Sequence, residues 1–435
     1  MKIAHITPGS GGNFYCQNCF RDGSLLDSSL ELGHEICRVP MYLPLDLDHH
    51  KWDEDIPVFY GAINIYLKEK SSLYRNAPSW MEELFDSGPM LRLAARMSGS
   101  TQASGLEEMT LSMLKGEEGN QASELDRLVE YLAAVIKPDV VHLSNALLLG
   151  LAKRMKAVLG CKIVCSLQDE NEWVDPMEEA YQRQVWGLMA EKAVDVDRFI
   201  AASHYYSRFS QNKLDIPAAK IDVVYAGIHL DGYQKSSLSL DPPVVGYLNR
   251  TSESLGLGIL IDAFLILKRD PEFQDLRLHI TGGHTAEDKP FLQQKLEDIK
   301  QQGCEDSVRV FEAFDRPDRI EFLKSLTLLS VPVPAGEAFG TYQIEALAAS
   351  VPIVQPNVGG FPEFVAATDG GVIYEPNDSQ TLADNMASLL RQPDRLRQYA
   401  EQGERAVQEQ FSIQKMVRNM TAIYEDVFTD EESNS

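Results

Sequence analysis

Short apolar runs alternate with amphipathic stretches along most of the chain. Residues 2–7 form an apolar run that ends in a Pro-Gly turn, 20–32 carry helical spacing, and 35–42 are again apolar. A run, a Gly-rich turn, a helix and a second run make a βαβ unit and predict a parallel sheet. The series goes on with strands expected at 140–143, 162–167, 199–202 and 223–225, and helices through 158 and over 177–193. A Ser/Pro/Gly-containing link at 232–243 is followed by a fresh series. Its strands are expected at 244–248, 278–281, 308–311, 326–333, 353–354 and 372–374, with helices at 259–267 and beyond residue 340. The expected class is therefore α/β, with two Rossmann-like domains facing across a cleft that would hold a ligand.

Residues 46–135 interrupt the first series. A strand or hairpin arm is expected at 58–67, an amphipathic helix at 79–97, a Gly/Ser/Glu-rich mobile stretch at 98–123 and a helix at 125–136. The apolar stripe of 79–97 reads as core, with an acceptor lid or membrane-touching helix as the sharper alternative.

Length and charge narrow the picture. At 435 residues the chain exceeds the size of one growing core, which agrees with two domains. A net charge of −25 argues against a nucleic-acid partner and disfavours docking on anionic lipid. No apolar stretch is long enough to span a bilayer and the start runs straight into a strand pattern, so a cytoplasmic location is expected. The six cysteines do not suggest a disulfide framework. Cys16 and Cys19 form one Cys-x-x-Cys, readable as a redox pair or half a metal site, and more simply as two free thiols lining a loop. No second pair completes a zinc set, and no metal or other cofactor is expected.

The most informative chemistry lies at 331–350. A buried strand runs into a loop with Gly336 and Gly340 on either side of Glu337, and a short helix carries Glu345. The free N–H groups around residues 340–342, at a helix N-terminus, make an anion site. An anion site between two hydroxyl-accepting carboxylates suits a phosphate with sugars on both sides, which is the shape of a nucleotide-sugar. Glycines at positions 9 and 11 are not followed by a third at Phe14, and no P-loop occurs, so NAD and nucleoside-triphosphatase readings lose their main support.

Glu337 and Glu345 stand with seven residues between them, and a strand followed by Gly359, Gly360 and Glu363 comes after. In this pattern the chain resembles the retaining glycosyltransferases of the GT-B fold, family 4. The resemblance implies a terminal helix, 412–428, that crosses back onto the first domain. The domains would then be 1–238 with 412–435, and 239–411, the last residues forming an acidic tail. It implies that Arg250 and the amides of Phe339, Gly340 and Thr341 hold the phosphates, and that Glu345 binds the ribose. Glu337 and the loop carrying Gly359, Gly360 and Glu363 would contact the sugar, and Gly11 and Gly12 would approach the sugar phosphate. Glu337, His142 and Arg250 are the implied catalytic groups. Asn145, Asp169 and Glu170, at strand ends of the first half, are candidates for the acceptor side, with Gln168-Asp169 standing where the family has His-Asp.

The implied activity is transfer of a sugar from a nucleoside-diphosphate sugar to an acceptor hydroxyl with retention, the acceptor being a carbohydrate, a lipid-linked molecule or a small molecule. One departure is large: Leu255 occupies the place of the second cation on the diphosphate, between the matching Arg250 and Gly256. Its loss could cost on the order of 2–4 kcal/mol of transition-state stabilisation unless Arg316, Arg319 or an N-terminal group compensates. The alternatives are a catalytically weak nucleotide-sugar binding protein, or an epimerase or phosphorylase of the same fold.

Overall fold

The computed structural model describes residues 1–8, 14–29, 34–41, 105–234 and 238–429. Gly11, Gly12, the arm at 58–67, the helix at 79–97 and the tail beyond 429 lie outside the described residues. Packing divides the chain into two units. One comprises Met1–Gly11, Asn18–Val224 and Met416–Ser435, and the other comprises Gly12–Gln17 and Tyr225–Lys415. The second unit thus takes in a short stretch near the N-terminus.

The first unit holds six parallel strands: β1 (Lys2–Thr7), β2 (Glu35–Pro40), β3 (Val140–Leu143), β4 (Lys162–Leu167), β5 (Arg198–Ala201) and β6 (Ile221–Val223). Their order is β2-β1-β3-β4-β5-β6. Strands β3 and β4 are buried at nearly every position, as strands covered on both faces should be. The helix Ile413–Thr429 contributes its later residues to this unit, where Arg198 Nη2 meets Asp426 Oδ2 at 2.8 Å.

The second unit repeats the plan with β7 (Val244–Leu248), β8 (Arg277–Thr281), β9 (Val308–Val310), β10 (Leu328–Leu329), β11 (Ile353–Pro356) and β12 (Gly371–Tyr374). The order is β12-β11-β10-β7-β8-β9, all parallel. This doubly wound order reverses between β7 and β10, and ligands in such sheets bind outside the carboxyl ends of the strands at that reversal. Strand β10 is much shorter than the apolar run at 326–333 suggests. Pro332 and Pro334 lack the N–H that a ladder needs, so the run leaves the sheet early and becomes the loop that carries Glu337.

Candidate functional site

The loops after β7 and β10 meet at the reversal point of the second sheet. Asn249, directly after β7, donates from Nδ2 to Glu337 Oε1 at 3.1 Å. Tyr342 Oη donates to Glu337 Oε2 at 2.5 Å, and Gln17 Nε2 to Oε1 at 3.0 Å. Glu337 is buried, so these donors replace the water that its charge would otherwise need. The Gly-Gly loop supports the same residue from behind. Gly360 N–H donates to the Glu337 carbonyl at 2.9 Å. Gly359 has φ +62°, and a Cβ there would stand 2.7 Å from both Glu337 N and Glu337 O. Only glycine fits this approach. Gly359 and Gly360 thus hold the backbone of Glu337, a role not expected from the sequence.

Glu345 lies in the helix Thr341–Ala348, all of whose residues are buried. Its carboxylate accepts from Tyr15 Oη on Oε2 at 2.6 Å, and from Tyr233 Oη and Arg319 Nε on Oε1 at 2.5 and 3.0 Å. Burial, and then the neighbouring Glu345 charge, raises both tyrosine hydroxyls well above their ordinary range, so each is a neutral donor. At the start of this helix Thr341 N–H donates to Gln17 Oε1 at 2.8 Å. Phe339 packs its ring at 5.3 to 5.9 Å from those of Tyr225, Phe364 and Phe411. Glu363 accepts from Tyr225 Oη at 2.9 Å.

Arg250 follows Asn249. Its Nε lies 3.5 Å from Asp288 Oδ2, and its guanidinium stands 5.6 Å from the Phe14 ring centre. Tyr247 Oη donates to the carbonyls of Arg250 and Leu255 at 3.0 and 3.1 Å, which fixes the loop between them. Gly256 closes that loop with φ +80°; a Cβ there would sit 2.1 Å from the Pro332 carbonyl oxygen. Leu255 itself is buried. Of the two arginines considered as substitutes for the missing cation, Arg316 donates to the carbonyls of His229 and Asp231 at 3.2 and 2.6 Å. Arg319 is buried against Glu345 and also donates to the Phe314 carbonyl at 2.9 Å.

The first unit has its own polar cluster at the ends of its strands. His142 is buried, with Nε2 at 2.9 Å from Ser166 Oγ and Nδ1 at 2.8 Å from Tyr424 Oη. Its ring stacks on His5 at 4.5 Å between centres. Burial, and then the Arg21 charge, lowers its pKa to about 3, so it is neutral. Both ring nitrogens of His142, for which a catalytic role was expected, are hydrogen-bonded within the unit.

Glu170 accepts from Ala146 N–H at 2.9 Å, Gln168 N–H at 3.0 Å and Tyr206 Oη at 2.7 Å. It joins the loops after β3 and β4 to the helix His204–Leu214. Asn145 caps the next turn by accepting from Leu147 N–H at 3.0 Å. Asp169 is a non-glycine residue in the left-handed region, with φ +59°, which Asp adopts more readily than most residues. Arg21 donates to Gln168 Oε1 at 2.8 Å, and burial pushes Asp22 up to about 6. Among the acceptor-side candidates, Asn145 and Glu170 spend these contacts on structure.

Cys16 and Cys19 are disulfide-bonded, whereas Cys37, Cys161, Cys165 and Cys304 are free thiols. This corrects the expectation of two free thiols; a Cys-x-x-Cys entering the helix Gln17–Ser29 brings its sulfurs within reach. Among the described residues no group of three or more His, Cys, Asp or Glu could hold a metal ion, and no helix is long and apolar enough to cross a membrane.

Sequence reasoning missed Tyr15, Gln17, Tyr233, Asn249 and Tyr342. Asn249 had a signal, since it follows β7 at the reversal point. Tyr15 and Tyr233 had none, because their partner Glu345 lies 330 and 112 residues away in the chain.

A doubly wound unit with paired carboxylates and a helix N-terminus at its reversal point is the arrangement of a nucleotide-binding site. The comparisons with known proteins narrow that reading. The family "Glycosyl transferases group 1" matches residues 233–406, and "Glycosyltransferase Family 4" matches residues 113–231. This chain belongs to the group 1 glycosyltransferases, of the family 4 type, with a GT-B fold.

Among curated relatives, the N-acetyl-alpha-D-glucosaminyl L-malate synthase of Bacillus anthracis is 31% identical over 118 residues, covering 27% of this chain and 31% of the relative. The matched stretches span 31% to 62% of the length of the first curated relatives. Sucrose-phosphate synthase from Thermosynechococcus elongatus has a TM-score of 0.73 at 16% identity, covering 99% of this chain and all of that one. Anabaena HepE, solved in complex with UDP, has a TM-score of 0.67 at 16% identity, covering 98% of this chain and all of that one.

Proposed function

We propose that this chain transfers a glycosyl group from a nucleoside-diphosphate sugar to an acceptor hydroxyl, with retention at the anomeric carbon. The observation that carries the reading is the pairing of Glu337 and Glu345 about the N-terminus of the helix Thr341–Ala348. Glu345 would accept hydrogen bonds from the ribose and Glu337 from the sugar. The Thr341 amide and Arg250 would take the phosphates, whose charge grows as the sugar leaves. The structures of Anabaena HepE with UDP and with UDP-glucose support a donor of this class.

Retention here needs no protein nucleophile. The acceptor hydroxyl attacks on the face that the phosphate leaves and passes its proton to a phosphate oxygen, while the diphosphate departs with the bonding pair. The chain's part is to hold donor and acceptor in register and to stabilise the departing charge. No metal or other cofactor is part of the proposal. For the acceptor, Asp169, which follows β4, is the candidate of the first unit.

The test is to incubate the protein with UDP-, GDP- and ADP-sugars and to measure nucleoside diphosphate release with and without a panel of sugar and polyol acceptors. Release that depends on an acceptor, with an α-linked product from an α-linked donor, supports the reading. Glu337→Gln should lower turnover at least about 100-fold. An inverted product, or no release from any donor, would contradict it. A second reading, a nucleotide-sugar binding protein with weak catalysis, is favoured by the buried, uncharged Leu255; it predicts tight donor binding with slow release at best.

A further inference from the structure

Groups that a bound nucleotide-sugar would need are taken by residues 15 and 17 of the same chain. Tyr15 Oη holds Glu345 Oε2 at 2.6 Å, the oxygen not shared with Arg319 and Tyr233. Gln17 bridges two elements, with Nε2 at 3.0 Å from Glu337 Oε1 and Oε1 at 2.8 Å from the Thr341 amide nitrogen. The stretch bearing them is fastened by its backbone as well. Tyr15 N–H donates to the Gly282 carbonyl at 2.7 Å, and Phe14 bridges to Gly283. The Arg319 guanidinium lies 5.7 Å from the centre of the Tyr15 ring.

The chemistry corresponds group by group. A phenol hydroxyl donates to a carboxylate as a ribose hydroxyl would. An amide N–H donates to the other carboxylate as a sugar hydroxyl would. A neutral carbonyl oxygen accepts from the first turn of a helix, where a phosphate oxygen would sit. We propose that residues 14–17 are a self-occupying strap of the donor site, which a nucleoside diphosphate must displace in order to bind. This inference rests on the donor-site reading above.

The competition has a definite direction. A phosphate at the Thr341 amide is a charged acceptor at a helix N-terminus, and it outcompetes the neutral oxygen of Gln17. The strap therefore yields to a true ligand but lowers the apparent affinity by the fraction of molecules that are strapped. While no nucleotide is bound it adds a further hydrogen-bond donor to each buried carboxylate, beside Asn249 and Tyr342 on Glu337 and Tyr233 and Arg319 on Glu345.

The test is calorimetric titration of the full chain with UDP, GDP and ADP, comparing the wild type with Tyr15→Phe, Gln17→Ala and Glu345→Ala. The diphosphate that binds the wild type is expected to bind Tyr15→Phe and Gln17→Ala about 3- to 10-fold more tightly, because each substitution removes a competing hydrogen bond. Binding to Glu345→Ala is expected to be lost. Unchanged or weaker binding to the two strap variants, with loss in Glu345→Ala, overturns the strap and leaves the donor site standing. If no diphosphate binds any of the four proteins, the donor reading fails and the strap falls with it. Circular dichroism checks folding, and Gln17→Ala, at a half-buried position, decides the matter should Tyr15→Phe not fold.

Discussion

Asn249 and Glu337 meet at 3.1 Å across the reversal point of the second sheet, joining the loop after β7 to the loop after β10. This contact fixes a carboxylate at the place where a doubly wound sheet binds its ligand. Replacing Asn249 by Ala removes one donor from a buried carboxylate, at a cost of about 1–3 kcal/mol. The expected result is a lower denaturation midpoint, and turnover reduced by about 10-fold or more through looser placement of Glu337. Urea titration and steady-state kinetics on the same preparation check both.

The Gly-Gly loop gives a sharper stability prediction. Gly359→Ala places a methyl 2.7 Å from the Glu337 backbone at φ +62°. The loop must retreat, taking the Glu337 carbonyl from Gly360 N–H. A loss of about 1–3 kcal/mol of stability is expected, with weakened donor binding. A variant as stable as the wild type would show that the close approach is not maintained in solution.

Leu255 tests how much the missing cation matters. Leu255→Lys restores the cation that the family pattern places between Arg250 and Gly256, at a buried position. If the chain is a degenerate transferase, turnover rises by at least about 10-fold, because a cation at the leaving diphosphate acts in the transition state. No gain in kcat would sink that reading and show that the present phosphate site suffices.

The disulfide between Cys16 and Cys19 encloses Gln17, whose side chain bridges Glu337 and Thr341. A closed ring lowers the entropy that Gln17 must lose to stay in place. Treatment with a dithiol reductant is therefore expected to tighten nucleoside diphosphate binding by about 2- to 5-fold, as the strap loses this preorganisation. The same treatment should leave a Cys16→Ser, Cys19→Ser protein unaffected, and equal responses from both proteins would contradict the link.

Acid stability follows from two buried groups of opposite sign. His142 falls from an ordinary 6.5 to about 3, so the unfolded chain binds its proton more tightly, and stability is lost as pH drops below 6.5. Asp22 is raised to about 6 from 3.8, so the native state binds its proton more tightly, and this contribution grows as pH falls through 6. At about pH 5 the two amount to about 2 kcal/mol lost and about 1 kcal/mol gained relative to neutrality. Asp22→Asn removes the gain. Its denaturation midpoint should fall more steeply from about pH 7 to about pH 5 than that of the wild type, and parallel curves would refute the assignment.

Much of the fold was legible because alternating apolar runs and helical spacing are local signals. The strand starting at Lys2 and the one at 140–143 stand where the pattern put them. Strand β10 was overestimated, since an apolar run with two prolines looks continuous to a hydropathy reading while the ladder needs N–H groups. Glu337, Glu345 and Glu363 stood out as candidates because their arrangement matches a family pattern. Their partners did not, because Tyr15, Tyr233 and Arg319 converge on Glu345 from distant parts of the chain. The stacking of His142 on His5 was not legible, because nothing in a strand-end histidine's sequence neighbourhood names its ring partner.

The most direct test of the donor site is a thermal-shift panel of UDP, GDP, ADP and their sugars, run on the wild type and on Glu345→Gln. A ligand at about 100 times its dissociation constant stabilises by about 2.7 kcal/mol, which is readily measured. A rise in midpoint with a single nucleotide series, absent in Glu345→Gln, is the predicted result and would identify the base. No rise with any nucleotide, or an equal rise in both proteins, would contradict the placement of the donor at Glu345.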